Sequence, residues 1–415
     1  MQFYQMYAYR LNESRKRVLA NCQQKWDNGF RIQGKPVVQK AKVLDIQAGE
    51  PCWCVGTIYC EMKYKPNVLE EVVNDTYGTK APVKSYTDPE GTDEIMLEDE
   101  SGRVLLVGDI ITNTPFVTGT VVGVLGMEAE AGTFQVVDIC YPQAIPQAPQ
   151  ARAQGKSVAL ISGLGATSDD PKLSLKLRLL QDLLSGDIAS ANSISSVARL
   201  IMCGDSVGSR ENDNISGALD ELGSFMANIL TSLPVTILPG ANDPSERSLP
   251  QQPLHKALFK RALKPYFAEV NSEIFESVTN PCWLDLEGIQ VLVSSGQNVD
   301  DMCKYVIPYL GTEQLRDTIE HRLDLIEASL KWQNLAPTAP DTLWCYPYKD
   351  TDPFIMNEWP HVYIIGNQPS YGYRKVLLED KVEVVLITLP KFNTSGQFVI
   401  LDLGTLNAEI ITIDA

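Results

Sequence analysis

A chain of 415 residues exceeds what one ordinary hydrophobic core organises, so two or three domains are expected, with two the simpler arrangement. With 44% hydrophobic and 21% charged residues it can bury enough apolar surface to offset chain entropy, which excludes an intrinsically disordered protein. A formal charge of −17 excludes a chain that grips phosphate backbones by itself, because such binding comes from clustered Lys and Arg; any nucleic acid would be held by a partner.

No apolar run approaches a membrane span, and the start of the chain, with Tyr4, Arg10, Arg15 and Lys16, lacks a signal-peptide core. A soluble intracellular protein with no membrane partner is expected. The nine cysteines mostly sit inside apolar runs, as reduced buried thiols do. Cys52, Cys54 and Cys60 lack the paired spacings and the nearby histidine of a zinc site, so no metal or other cofactor is expected there.

In chain order, residues 1–28 form an amphipathic helix, with Tyr4, Tyr7, Leu11, Val18 and Cys22 at three- and four-residue spacings. From residue 29 to 141 the pattern changes to short strands: 52–59, 95–98, 103–107, 117–125 and 133–139, parted by glycine-bearing turns. Five short strands predict a small all-β barrel of the OB type, with a split sandwich as the competing arrangement. A barrel that binds single strands sets aromatics in a basic groove. This one instead clusters Asp93, Glu94, Glu98, Asp99 and Glu100 near one hairpin, which favours a protein partner.

Residues 142–155, with Pro142, Pro146 and Pro149, have no periodicity and read as a linker. The remainder, 156–415, is expected as one α/β domain. Strand 157–162, helix 173–184, strand 197–203, helix 214–232 and the strand at Val235 describe parallel crossovers. A hairpin 282–293, an amphipathic helix 313–331 and strands 361–365, 382–389, 398–401 and 406–413 follow, an order that suits a two-sheet α/β sandwich.

Strands that end in small polar residues are where such a fold places chemistry. Ser162-Gly163-Leu164, Gly204-Asp205, Gly240-Ala241-Asn242-Asp243, Ser295-Gly296 and Gly366-Asn367-Gln368-Pro369 fall in the order of the metal loops of calcineurin-like phosphoesterases, which activate water between two ions. The glycines of that pattern are kept. Of Ser162, Leu164, Asp205, Ala241, Asn242, Ser295, Asn367 and Pro369, only Asp205 keeps the residue type of a ligand or proton-transfer group, and leucine or alanine cannot coordinate a metal. The three histidines, His255, His321 and His361, lie at none of these loops, leaving Asp205 and Asp243 as the place for a single weakly held ion. Gly204-Asp205-Ser206-Val207-Gly208 has no following Gly-Lys-Ser or Gly-Lys-Thr, and no Gly-x-Ser-x-Gly elbow is present.

A barrel followed by a ligand-stripped phosphoesterase domain resembles the B-subunit family of replicative DNA polymerases, its delta-type branch in particular. The phrases that carry the likeness are Leu160-Ile161-Ser162-Gly163-Leu164-Gly165, Leu249-Pro250-Gln251-Gln252-Pro253-Leu254-His255, Ser295-Gly296-Gln297-Asn298-Val299, 337–343, Cys345-Tyr346-Pro347 and Asp352-Pro353-Phe354-Ile355. The resemblance implies a nuclear, non-catalytic scaffold in DNA replication and repair. Its implied partners are the cysteine-rich C-terminal domain of the polymerase's catalytic subunit and the N-terminal domain of a third subunit, with the catalytic subunit of polymerase zeta as a further partner in translesion synthesis. DNA and the sliding clamp would be reached only indirectly. Archaeal relatives retain the Asp and His motifs as nucleases, so a residual metal-dependent phosphodiesterase or 3′ exonuclease is the alternative. Trp332, Trp344, Trp359, Tyr346, Tyr348, Tyr371 and Tyr373 are candidate interface aromatics, packing around the proline-rich stretch being the competing role.

Overall fold

The computed structural model describes residues 3–27, 29–66, 83–129, 132–150, 155–167, 170–188, 192–208, 214–267, 274–306 and 317–414. It divides into two compact units, one of Met1–Pro146 with Asn298–Asn357 and one of Gln147–Gln297 with Glu358–Ala415.

The first unit opens on helix α1 (Tyr4–Trp26), whose buried side chains are Met6, Arg10, Ser14, Val18, Cys22 and Trp26. That four-residue repeat sets the packed face, and Tyr4, two residues or about 200° from Met6, is turned outward and 69% exposed. The expectation of Tyr4 on the apolar face is thereby corrected.

Val18, Cys22 and Trp26 pack on Trp53, Val55, Val121, Leu125 and Cys140 of the barrel. Its strands are β1 (Cys52–Glu61), β2 (Glu94–Glu98), β3 (Arg103–Val107), β4 (Val121–Glu128) and β5 (Thr133–Cys140). They pair in the order β1-β2-β3-β5-β4, and β4 closes on β1 through six residues from Cys52↔Gly126 to Thr57↔Val121. Closure removes the exposed edges that an open sheet would present. Two indole N–H groups pin the helix end to the barrel: Trp26 donates to Asp138 at 3.0 Å and Trp53 to Asp27 at 3.1 Å.

Residues 298–357, part of the expected domain 156–415, pack with the barrel's unit. The reason lies in polar groups that sequence periodicity does not register. Arg10, 1% exposed, donates to Asp352 at 2.6 Å and to the carbonyls of Pro337 and Ala339, each at 2.7 Å. A buried guanidinium is tolerated when its charge is paired this way, although here Nη2 is left without a hydrogen-bond partner. Arg17 donates to Gln333, to the Met356 carbonyl and to Asn357. Tyr86 packs edge-on against Tyr305 and donates to Asp301. The expected helix 313–331 is observed over Ile319–Trp332, capped by the Thr318 hydroxyl, while residues 313–316 lie outside the described residues.

In the second unit, strands β6 (Ser157–Ile161), β7 (Val197–Cys203), β8 (Val235–Leu238) and β9 (Phe275–Ser277) are mutually parallel. Two antiparallel strands, β15 (Gln397–Asp402) and β16 (Ala408–Thr412), complete a sheet of order β9-β8-β7-β6-β15-β16. The other sheet runs β10-β11-β12-β14-β13, built from β10 (Cys282–Leu286), β11 (Ile289–Ser294), β12 (Val362–Gln368), β13 (Gly372–Leu377) and β14 (Glu383–Pro390). Both sheets feed one apolar layer that includes Leu160, Ile201, Val291, Ile364 and Ile387. The opposite face of the first sheet packs on helices α2 (Pro171–Leu184) and α3 (Ile215–Ile229) through Leu177, Leu180, Leu222 and Met226. Strand β13 was missed because its burial alternates irregularly along an edge.

Candidate functional site

The C-terminal ends of β6, β7, β8, β11 and β12 come together, held apart by almost nothing. A Cβ on Gly204 would lie 2.4 Å from the Ser295 Cβ, one on Gly240 2.3 Å from the Asp205 nitrogen, and one on Gly366 2.3 Å from the Cys203 carbonyl. These glycines are retained because backbones and side chains of neighbouring strands occupy the space a Cβ needs. Asp205 and Asn367 adopt left-handed backbone, φ 53° and 58°, which asparagine and aspartate tolerate best among residues with a side chain.

Asp205 is buried, and its two carboxylate oxygens accept from the backbone N–H and the side-chain amide of Asn242 at 2.9 and 3.0 Å. The Lys391 ammonium stands 3.5 Å from the same carboxylate. Asp243, wholly buried, accepts from the N–H groups of Gly240 at 2.7 Å and Val207 at 3.0 Å. Burial, with the neighbouring Asp205 charge adding, pushes its carboxyl up to about 7, against the opposing pull of those donors.

The remaining positions are knitted together in the same way. Ser162 donates toward the carbonyls of Leu389 and Pro390 and accepts the Asn367 N–H at 3.0 Å. Asn367 donates to the carbonyls of Ser295 at 2.9 Å and Cys203 at 3.3 Å. Ser295 is framed by a buried amide cluster: Asn280 donates to Gln251, Ser295 and Gln297, and Gln251 donates on to the Gly240 carbonyl. The Asn280 oxygen in turn accepts the Ser295 N–H.

Three predicted positions stand apart. Leu164 is 1% exposed within the apolar core against α2 and α3. Ala241 and Pro369 are exposed. Sequence reading missed Lys391, Asn280 and Gln251 as members of the site; Gln251 sits in the Leu249–His255 stretch that carries the family likeness, whereas Lys391 follows a strand that carries no motif. The three histidines serve elsewhere. His361 is buried, its Nδ1 accepting the Gln290 N–H and its Nε2 bonded to the Ala148 carbonyl, each at 2.8 Å. His255 caps a short helix through the Ala257 N–H, and His321 lies half-buried on the helix Ile319–Trp332. Among the described residues no cluster of three or more His, Cys, Asp or Glu side chains is arranged to hold a metal ion. The candidate aromatics divide as well: Trp332 and Trp359 are 3% exposed, Trp344 is 66% exposed, and Tyr346, Tyr348, Tyr371 and Tyr373 are half-buried.

With the barrel, the paired sheets and the strand-end loops described, the comparisons with known proteins define the class. Residues 158–373 match the family model of the B subunit of DNA polymerases alpha and epsilon, and residues 2–139 that of the DNA polymerase delta subunit OB-fold domain. The DNA polymerase delta small subunit of Saccharomyces cerevisiae is 53% identical, over 100% of this chain and 89% of the relative. The DNA polymerase delta subunit 2 of Drosophila melanogaster is 33% identical over 100% and 94%. The chain belongs to the DNA polymerase delta small-subunit family. A more distant match, 24% identical over 47% of this chain and 40% of the relative, is the DNA polymerase II small subunit of Archaeoglobus fulgidus.

Proposed function

We propose that this chain is a non-catalytic accessory subunit of the nuclear DNA polymerase delta complex, acting in DNA replication and repair. Its second unit reads as a calcineurin-like phosphoesterase sandwich whose metal chemistry has been replaced by packing. The observation that carries this reading is the state of the strand ends. The Asp205 oxygens are taken by Asn242, the Asp243 oxygens by backbone N–H groups, and an ammonium stands where a divalent ion would need open acceptors. Asn367 gives its N–H donors to the neighbouring carbonyls and keeps a buried Oδ1 that no donor meets, a neutral oxygen that by itself does not make a divalent-ion site. These residues do not fit a two-metal centre, so no hydrolytic step is assigned to them.

In this reading the chain bridges the cysteine-rich C-terminal domain of the catalytic subunit to the N-terminal domain of a third subunit, can serve the polymerase zeta catalytic subunit too, and reaches DNA and the sliding clamp through them. Two measurements test it. Co-expression with a polymerase delta catalytic subunit is expected to yield a stable complex; a monomer indifferent to that subunit's C-terminal domain refutes the scaffold role. Incubation of the pure chain with manganese and labelled DNA is expected to give no cleavage. Cleavage abolished by Asp205→Ala would establish the phosphodiesterase alternative.

A further inference from the structure

A trough runs within the first unit along one face of the helix Ile319–Trp332. Its wider part, about 470 Å³, is walled by Met62, Ile95, Ile111, Pro115, Phe116 and Leu325. A second hollow of about 290 Å³ shares Thr114, Pro115 and Asp324 with the first and continues over Ala328 to Trp332. The helical residues that line the two, from His321 to Trp332, recur at three- and four-residue spacings on one face. They span about 16 Å at 1.5 Å per residue, the length of about five extended residues or three helical turns.

The lining is apolar at the floor and acidic at the edge. Glu94 and Asp324 stand at that edge; of the other lining carboxylates, Asp93 accepts the Asp88 N–H and Glu327 pairs with the lining Lys331 at 2.6 Å. Glu94 and Asp324 are exposed. Such a surface excludes a nucleic acid strand, since phosphates would meet carboxylates. It matches in charge and depth a peptide with apolar side chains for the floor and cations for the edge. We infer that this trough is the docking site for a short segment of a partner protein carrying two or three apolar anchors flanked by Lys or Arg. The inference goes beyond the scaffold reading and draws nothing from the strand ends of the other unit.

The test uses the full chain as bait for a random dodecapeptide display library. Enriched peptides are expected to combine large apolar residues with neighbouring Lys or Arg. Their synthetic versions should bind about tenfold or more weakly to the double variant Glu94→Lys with Asp324→Lys, and more weakly at high salt. Hydrogen exchange on the complex should show protection over 112–116 and 319–332. An intact melting profile of the double variant separates lost binding from lost folding. No enrichment, peptides without the basic-apolar pattern, equal binding to the folded double variant, or protection confined to other segments each overturns the proposal.

Discussion

The strand-end site of the second unit and the trough of the first are both meetings of several elements, yet they spend their polar groups in different ways. At the strand ends, the Asp205, Asp243, Ser295 and Asn280 side chains and the Asn367 amide N–H groups are taken up by one another or by adjacent backbone, the Asn367 Oδ1 alone of this set being buried without a partner, and glycines bring the strands within van der Waals contact. Along the trough, largely buried apolar side chains form the floor, with Pro115 exposed, and the exposed carboxylates of Glu94 and Asp324 stand at the edge. A surface that satisfies itself stabilises its own fold and has little left for a ligand. One that leaves charge at the surface beside an apolar hollow can be read by a partner. The same acidic chain therefore carries one site whose chemistry has turned inward and another whose chemistry faces out.

Substitutions separate the two, beginning with the strongest. Gly366→Ala places a Cβ 2.3 Å from the Cys203 carbonyl and 3.2 Å from the Ser162 Cβ, in buried surroundings that cannot yield. It should destabilise the protein by about 3 kcal/mol, read as a shifted denaturant midpoint. A change under about 1 kcal/mol would mean the strand ends have room to part, and with it room for a ligand. Asn280→Ala should cost about 2 kcal/mol, because Gln251, Ser295 and Gln297 lose a shared buried partner. If Asn280→Ala left the midpoint unmoved, water would be filling the cluster and the site would count as open.

The sequence carried the strands well because their apolar runs and glycine turns are local signals. Arg103–Val107 and Val197–Cys203 coincide with the expected bounds. The positions of the strand-end loops were legible too, through their glycines. What was not legible is what those loops touch. Lys391 reaches Asp205 across 186 residues of sequence, and nothing near Lys391 marks it. The allegiance of residues 298–357 to the barrel rests on a buried Arg10–Asp352 pair and on Arg17, charged residues that periodicity assigns to solvent. The helix Gln297–Val306 was missed because its buried face mixes Asn298 and Asp301 with Val299 and Met302, which blurs the apolar stripe.

Asp243 offers a more specific test of the inward-turned site. Its carboxyl is raised to about 7 in the folded protein, above the value near 3.9 of an unfolded chain. The folded state therefore holds a proton that the unfolded state has lost over this window. The stability it contributes is present below about pH 4 and disappears as pH rises through 7, with a slope approaching about 1.4 kcal/mol per pH unit. Subtracting the unfolding free energies of Asp243→Asn from those of the native chain at several pH values cancels the other titrating groups. A flat difference between pH 5 and 7 would mean that the backbone donors, not burial, govern this carboxylate.

The smallest effect expected belongs to the outward-facing site, and its smallness is the point. Glu94 and Asp324 are exposed, so replacing both with lysine should move the unfolding free energy by less than about 0.5 kcal/mol. Reversing two charges in an acidic chain also lessens self-repulsion, which favours a slight gain in stability, greater at low salt. A loss above about 1 kcal/mol would show that these carboxylates hold the barrel's unit together, as Asp352 does for Arg10. The trough would then be one more self-satisfied surface, and the contrast with the strand ends would vanish.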